Sequence, residues 1–453
     1  MLKTKEIYNL FNKPLPTDFV DERISKISTD SRDLGNGSVF VALKGENFDG
    51  HAFIGKALTD GAALVVAEYL PTGLEANNKI IQVADSLRAY QDLAAYYRDK
   101  FDIPVIAITG SNGKTSTKDI LAAALSASMP VLKNYANFNN DIGVPKTLLQ
   151  LNAEHQAAIV EMGMRGAGQI ARLTEIAKPH IAIITSITPT HIELLGSLEN
   201  IALAKAEIFK DFTKDDIVIL NYDNQFTRAM QPDCHCIYFG LNAAAELAAK
   251  DIEYHDDYTV FTCVDQVRKL EYQVRIPLLG EHNITNTLAA LAVASVLDLD
   301  LAKTLDGLKT VQVSQMRQSI EKYGDITVIN DAYNASPVSM HMGLKTLKAL
   351  ANKRRSIAVL GDMLELGEFA EQMHQELAAH CQECAIDMVV TYGPLTVYTH
   401  DKLLELGIAS RHFADKQALA DYLREQLQAH DVLLFKGSRG MKMEELIPLI
   451  FNL

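Results

Sequence analysis

The run Thr109-Gly-Ser-Asn-Gly-Lys-Thr115 places two glycines, a lysine and a hydroxyl where a phosphate cradle needs them. Gly110 and Gly113 let the backbone curl, so that the amides running through Ser111, Asn112 and Ser116 turn inward on an anion. The helix start adds partial positive charge and Lys114 adds a full one, while Thr115 offers its hydroxyl to magnesium. The complete pattern has a glycine five residues before Gly113, where Ile108 stands, so this is a shortened variant. Nucleoside triphosphate binding is the chemistry these residues imply; the bland alternative is a glycine turn with a solvated lysine.

A cradle of this kind sits between a strand and a helix, and the β-branched run 105–109 followed by the helical stretch 116–126 supplies both. Doubly wound sheets bind ligands beyond the carboxyl ends of their strands. Other strand ends therefore matter. Glu161 follows the apolar run 158–160, and His191 closes the loop Thr188-Pro-Thr-His191 after the run 181–185. With Thr115 they could hold magnesium, which prefers hard oxygen ligands; each is otherwise a solvated strand end or an exposed loop residue. In the predicted helix 198–212, Leu198, Ile201, Ile208 and Phe212 share an apolar row that also contains Lys205. Either its ammonium snorkels out, or it is a desolvated amine with a depressed pKa that can act as a nucleophile.

The chain of 453 residues is long enough for about three domains. Residues 1–102 carry short β-rich runs at 38–43 and 63–66 and a helix over 86–100. Residues 103–312 read as a doubly wound core with alternating, antiparallel segments between 236 and 277, then a helix over 284–297. Residues 313–453 alternate short apolar strands (327–330, 356–360, 388–391, 431–435) with helices, as a Rossmann-like domain does. The fold class is α/β: a small α/β N-terminal domain, a central doubly wound ATPase domain and a C-terminal Rossmann-like domain.

Composition narrows the partners. A net charge of −14 argues against a general nucleic-acid or acidic-membrane binder, so any anion is captured locally. The longest apolar run, near 288–297, is too short to span a bilayer, and residues 1–13 lack the apolar stretch of a secretion signal. A cytoplasmic monomer without a membrane span is the expectation. Five cysteines fit a reducing compartment. Cys234 and Cys236 flank His235, and Cys381 and Cys384 follow His380, but neither cluster has the second half of a structural zinc site. Buried or idle thiols are expected there.

The cradle, Asn139-Asn-Asp-Ile-Gly143, Glu161-Met-Gly163, His191 with Gly196-Ser197, and Ala204-Lys-Ala-Glu-Ile-Phe209 together resemble the Mur ligases of peptidoglycan synthesis, in order and in spacing. Gly280-Glu-His-Asn283 with Asn286, Asp331-Ala-Tyr-Asn-Ala-Ser-Pro337, Gly361-Asp-Met-Leu-Glu-Leu-Gly367 and Lys436-Gly-Ser-Arg439 resemble the branch that adds D-alanyl-D-alanine. The resemblance covers essentially the whole chain. Thr29-Asp-Ser-Arg32 and Leu43-Lys-Gly-Glu-Asn-Phe-Asp-Gly-His51 are similar to the segment that holds the UDP-sugar.

The resemblance implies ATP-dependent, ADP-forming amide formation on UDP-N-acetylmuramoyl-tripeptide, through an acyl phosphate attacked by D-alanyl-D-alanine, as the last cytoplasmic step of pentapeptide precursor synthesis. It implies Lys114 on the phosphates, Thr115 and Glu161 on one Mg2+, and His191 on a second. Lys205 corresponds to a lysine carbamylated by carbon dioxide that orients a magnesium. Asn283 and Asn286 match groups near the adenine, while Arg317, Asp331 and Lys436 match groups reaching the nucleotide from the third domain. Ser31, Arg32, Asn47, Asp49, Asn137 and Asn140 fall on the nucleotide-sugar side, and Asn334, Ala335 and Ser336 on the dipeptide side, although 333–337 also suits a plain turn.

Three departures are visible. Ala206 stands where the family often has glycine, Met316 precedes Arg317 in place of glycine, and the Asp-Asn-Pro-Arg motif of the diaminopimelate-adding ligase is missing. Competing readings are another Mur-type ligase, folylpolyglutamate synthase, which lacks a matching first domain, and a protein that only switches on ATP. Met162-Gly-Met-Arg165 is either a substrate loop or a strand-to-helix connection.

Overall fold

The computed structural model describes residues 1–17, 19–74, 77–190, 192–312, 314 and 316–451. The chain gathers into two compact units: Met1–Ala107 with Pro130–Gly163 and Gln169–His180, and Ile108–Met129 with Met164–Gly168 and Ile181–Leu453.

In the first unit, strands Ile27–Ser28, Val39–Val41, Leu64–Ala67 and Ile80–Gln82 pair in that order, all parallel. Their β-branched residues suit a buried pleated surface, and Val39, Val41, Val65 and Val66 are wholly enclosed. Helix Ser86–Arg98 starts where the Asp85 carboxylate accepts the Arg88 amide, and it buries Ala89, Tyr90, Leu93, Ala94 and Tyr97 along one stripe. Its neighbours are helices Gly143–Leu148 and Gln169–Ala177. Arg98 Nε donates to the Ala177 carbonyl at 2.8 Å, and Arg172 Nη2 donates to Asp92 at 2.8 Å. The parallel pair Val131–Lys133 and Ala157–Glu161 ends on the Glu161 carboxylate.

In the second unit, helix Lys114–Ser126 begins two residues before the predicted start, because Gly113, with φ +84°, already turns the chain into it. It packs against helices Glu281–Val296 and Leu301–Leu308. The second of these approaches so closely that a Cβ at Gly307 would lie 2.3 Å from the Ala123 carbonyl oxygen. Strands Ile181–Ile184, Ile217–Asn221 and His235–Gly240 are parallel; Leu247–Tyr254, Thr259–Asp265 and Leu270–Ile276 then form the antiparallel ribbon that the alternating sequence predicts.

The C-terminal lobe of this unit holds a sheet ordered Ser319–Tyr323, Ile326–Asp331, Val432–Lys436, Ser356–Gly361, Met388–Tyr392, Ser410–Phe413. Only its first pair is antiparallel among the described strands. One face buries Leu344, Leu347, Leu377 and Cys381 from helices Pro337–Ala351 and Ala370–Glu383; the other buries Leu419, Leu423, Leu446 and Ile450 from helices Lys416–Gln426 and Leu446–Phe451. Each such side chain contributes about 2 kcal/mol by leaving water. The edge strand Ser319–Tyr323 escapes the sequence reading because Glu321 and Lys322 break its apolar run.

The predicted helix 198–212 is shorter than expected. It runs Leu198–Ala206, capped by Ser197 Oγ accepting from the Asn200 amide at 3.2 Å, and tightens into the 3-10 turn Glu207–Phe209. The Glu207 carboxylate accepts the Gly168 amide at 2.7 Å, which ties this end of the helix to a neighbouring loop. The face that is buried consists of Ile201, Ala204, Lys205 and Ile208, while Leu198 and Phe212 are half-exposed.

Candidate active site

The cradle follows strand Val105–Thr109 and is fastened along its length to the loop after Ile184. The Ser111 amide donates to the Ser186 carbonyl at 2.7 Å, Ser111 Oγ donates to the Thr188 carbonyl at 3.0 Å and accepts the Thr188 amide at 2.9 Å. The Asn112 amide donates to Ser186 Oγ at 3.2 Å, and Asn112 Nδ2 donates to Thr188 Oγ1 at 2.9 Å. Gly110 and Gly113 both have positive φ, +148° and +84°. Side chains would also have no room: a Cβ at Gly110 would meet Thr185 Oγ1 at 1.9 Å, and one at Gly113 would meet Asn286 Oδ1 at 2.7 Å. The Lys114 ammonium folds back onto its own loop, donating to the Gly110 carbonyl at 2.7 Å and the Ser111 carbonyl at 3.3 Å. Thr115 is buried and Ser116 half-buried.

Lys205 is 2% exposed, and its ammonium makes no ion pair or hydrogen bond among the described residues. Burial pushes its pKa well below the ordinary lysine value, and the Lys114 cation lowers it further. The ammonium therefore does not snorkel out to solvent: the whole side chain is buried.

The other residues predicted on the nucleotide side lie on helix Glu281–Val296 and in the C-terminal lobe. Asp331 and Lys436 face each other in register on adjacent parallel strands, with Lys436 Nζ donating to Asp331 Oδ2 at 2.6 Å and to the Asn334 carbonyl at 3.1 Å. Arg317 lies 4.0 Å above the Tyr333 ring. Asn283 Nδ2 donates to the Leu279 carbonyl at 2.9 Å and reaches Gln318 Oε1 at 3.5 Å, while the buried Asn286 Nδ2 has no hydrogen-bond partner among the described residues. Ser336 caps helix Pro337–Ala351 and donates from Oγ to Asn112 Oδ1 at 3.1 Å, so the predicted dipeptide side touches the cradle itself.

A cavity of about 240 Å³ opens beside this contact, lined by Arg165, Thr190, Tyr333, Asn334, Ala335, Ser336, Ser438 and Arg439 among others. Two guanidinium groups and several hydroxyl and amide groups suit a small zwitterion. Arg165, the last residue of Met162-Gly-Met-Arg165, lines this cavity.

The first unit carries the other predicted residues. Glu161 is 2% exposed; its Oε1 accepts Asn139 Nδ2 at 2.7 Å, and its amide donates to Asn134 Oδ1 at 2.6 Å. Asn137 and Asn140 are exposed, and Asn140 Oδ1 accepts the Gly143 amide at 2.8 Å, starting a helix. Ser31 is buried, whereas Arg32 projects outward and forks onto Asp30 at 2.9 and 2.8 Å, which drives the Asp30 pKa down. Asn47 is exposed. Asp49 has a pKa of about 2, held down by the Tyr69 hydroxyl and then by the His51 amide, which donates at 3.0 Å. His51 Nε2 accepts the Glu68 amide at 3.0 Å, so Nδ1 carries the proton it donates to Asp49 at 2.7 Å. His191 lies outside the described residues.

Against known families, residues 23–98 match the Mur ligase family catalytic domain, 108–294 the Mur ligase middle domain and 316–439 the Mur ligase glutamate ligase domain. The UDP-N-acetylmuramoyl-tripeptide--D-alanyl-D-alanine ligase of Bacillus subtilis is 37% identical over 94% of this chain and 92% of its own length. The chain belongs to the Mur ligase family. A crystal structure of MurF from Acinetobacter baumannii superposes with a TM-score of 0.89 at 30% identity, covering 99% of this chain and 98% of that one. MurF ligase of Thermotoga maritima in complex with ADP gives a TM-score of 0.84 at 26% identity, covering 94% and 97%.

The fold is therefore the three-domain α/β architecture of a Mur ligase. Within it, Thr185, Ser186 and Thr188, which fasten the cradle, were not singled out from the sequence, and neither were Tyr333, Gln318 and Arg439. His282 also belongs with them: it is half-buried, lies near Gln318, Asp331 and Lys436, and desolvation lowers its pKa. One signal was available, since the loop 188–191 stood at a strand end. Gln318 gave none. Its left-handed backbone, φ +58°, is visible only in the folded Mur ligase.

Proposed function

We propose that this Mur ligase joins D-alanyl-D-alanine to UDP-N-acetylmuramoyl-tripeptide, converting ATP to ADP and phosphate. The observation that carries the reading is the continuity, within the second unit, of the cradle with the dipeptide-side residues through the Ser336–Asn112 hydrogen bond. A carboxylate does not acylate an amine unaided. Its oxygen attacks the γ-phosphorus and ADP leaves; the dipeptide amine then attacks the acyl carbon, loses a proton and expels phosphate.

The residues present fit these ligands. Gly110 and Gly113 hold a backbone nest for phosphate oxygens, Lys114 can swing from its own carbonyls to the γ-phosphate, and the orphaned Asn286 Nδ2 offers a donor toward the nucleotide. Asn283, Arg317, Asp331 and Lys436 complete the nucleotide side. The oxygen donors Thr115 and Glu161 suit one Mg2+, with His191 and a carbamate on Lys205 serving a second; the metal's role is to neutralise charge on the transferring phosphoryl group. A neutral, desolvated lysine is the form that adds carbon dioxide, and the product converts an uncompensated amine into an anionic oxygen ligand beside Lys114.

Arg165 and Arg439, which line the cavity, would hold the dipeptide carboxylate, Arg439 from its pairing with Glu444, with Asn334, Ala335 and Ser336 orienting the amine. Ser31, Arg32, Asn47, Asp49, Asn137 and Asn140 serve the nucleotide sugar. The domain division 1–102, 103–312 and 313–453 then separates sugar binding, phosphoryl transfer and amine delivery, and closing the parts around the reactants keeps water from the acyl phosphate. The enzyme works as a monomer in the cytoplasm, where ATP is supplied; the five unpaired thiols accord with that compartment, and no helix among the described residues is long and apolar enough to cross a membrane.

The test is phosphate release from ATP and Mg2+ with each substrate omitted in turn, together with the product's mass. Release that needs both substrates and yields the pentapeptide is expected. Release indifferent to both, or supported by a folate and glutamate, overturns the proposal.

A further inference from the structure

Two helices of the C-terminal lobe bring together metal-ligating groups that the ligase chemistry does not use. Helix Pro337–Ala351 supplies His341; helix Ala370–Glu383 supplies His380 and, three residues on along the same face, Glu383. The sequence drew attention to His380 through Cys381 and Cys384, but the folded chain pairs it with a histidine from a different helix. Glu383 Oε2 lies 3.2 Å from His341 Nε2 and 3.5 Å from His380 Nδ1, and the candidate donor atoms all fall within 4.8 Å of one another. Donors bound tetrahedrally to a cation at about 2.0–2.2 Å stand roughly 3.3 Å apart, so both carboxylate distances already match.

A second observation points the same way. His341 Nε2 is shielded from solvent, and its contact with the Glu383 carboxylate at 3.2 Å is not aligned as a hydrogen bond. A buried nitrogen left in that state costs free energy that a metal bond would recover. The two rings stack with centroids 3.9 Å apart and planes at 10°, so closing on one cation requires them to splay. Both are partly exposed, at 20% and 33% of the side chain, which leaves room for that rotation. Lys345, a turn along from His341, opposes a cation; the Glu383 carboxylate and the carbonyl end of helix Ala370–Glu383 favour it.

We infer that His341, His380 and Glu383 form a binding site for a borderline divalent transition-metal ion, best matched by Zn2+, that clamps helix Pro337–Ala351 to helix Ala370–Glu383. Two imidazoles and one carboxylate are a zinc donor set, whereas Mg2+ selects oxygen. The clamped helix is capped by Ser336, so the ion braces the element that reaches the cradle.

The experiment is calorimetric titration of the metal-stripped full chain with ZnCl2, in the presence of Mg2+ and a non-hydrolysable ATP analogue, alongside His341→Gln, His380→Gln and Glu383→Gln. The wild type is expected to bind one Zn2+ at least about tenfold more tightly than either histidine variant. Its thermal midpoint should rise with Zn2+ while theirs does not. Circular dichroism confirms that each variant is folded, and Glu383→Gln gives an independent reading if one histidine variant is not. Isotherms superimposable across the four proteins, or a tight site that survives in both histidine variants, overturn the assignment.

Discussion

Lys205 and Lys436 are equally buried, at 2% exposed each, and the protein treats them in opposite ways. Lys436 reaches the Asp331 carboxylate at 2.6 Å and the Asn334 carbonyl at 3.1 Å, so its charge is matched where it lies. Lys205 sits on an apolar helix face between Ile201 and Ile208, with a second cation, Lys114, as its electrostatic neighbour. A buried ammonium without a counter-charge gives up its proton rather than bear the desolvation cost. The C-terminal lobe therefore keeps a matched cation, whereas Lys205 is left without a counter-charge among the described residues and is the amine to which the proposed carbamate is assigned. Burial alone distinguishes neither; the partner does.

The strongest way to break this contrast is to remove Lys114, the second cation beside Lys205. Lys114→Ala is expected to lower kcat/KM by on the order of 10³-fold with the fold intact, because the transferring phosphoryl loses its principal charge partner. Steady-state phosphate release measures it, and the Lys205 pKa should rise in the same variant. Lys205→Ala comes next, with a loss of about 10²-fold or more that short carboxylic acids partly restore by occupying the vacated place. Full activity in that variant removes the carbamate from the mechanism.

Asp331→Asn makes Lys436 resemble Lys205 by leaving a buried cation unmatched, and should cost about 3 kcal/mol in urea unfolding. The smallest effect is on the pH dependence of stability. Unfolding lets Lys205 take up a proton that the folded chain refuses, so stability should rise with pH from the folded pKa up to roughly 10.4, the unfolded value. In Lys205→Met, in buffer free of carbon dioxide, that rise should be absent.

How much of this was legible from the sequence follows from how local each signal is. The cradle is a contiguous motif whose glycines and lysine state their own geometry, and the apolar row containing Lys205 shows in a 3.6-residue period. The length of its helix did not, because the helix ends where Glu207 reaches the Gly168 amide, a contact between distant segments. The same holds for Ser336 on Asn112 and for Gln318 beside Asn283 and His282. Asn139 rather than its neighbours orients Glu161, since only folding shows that Asn140 is used in starting a helix and that Asn137 faces outward.

Transfer of an oxygen isotope tests the central claim most directly. UDP-N-acetylmuramoyl-tripeptide labelled with 18O in its terminal carboxylate is turned over with ATP, Mg2+ and D-alanyl-D-alanine, and the released phosphate is weighed by mass spectrometry. One 18O atom per phosphate is the expected result, because the carboxylate oxygen that attacked phosphorus leaves with it. Unlabelled phosphate formed in step with the pentapeptide would contradict the acyl phosphate and, with it, the role assigned to the cradle.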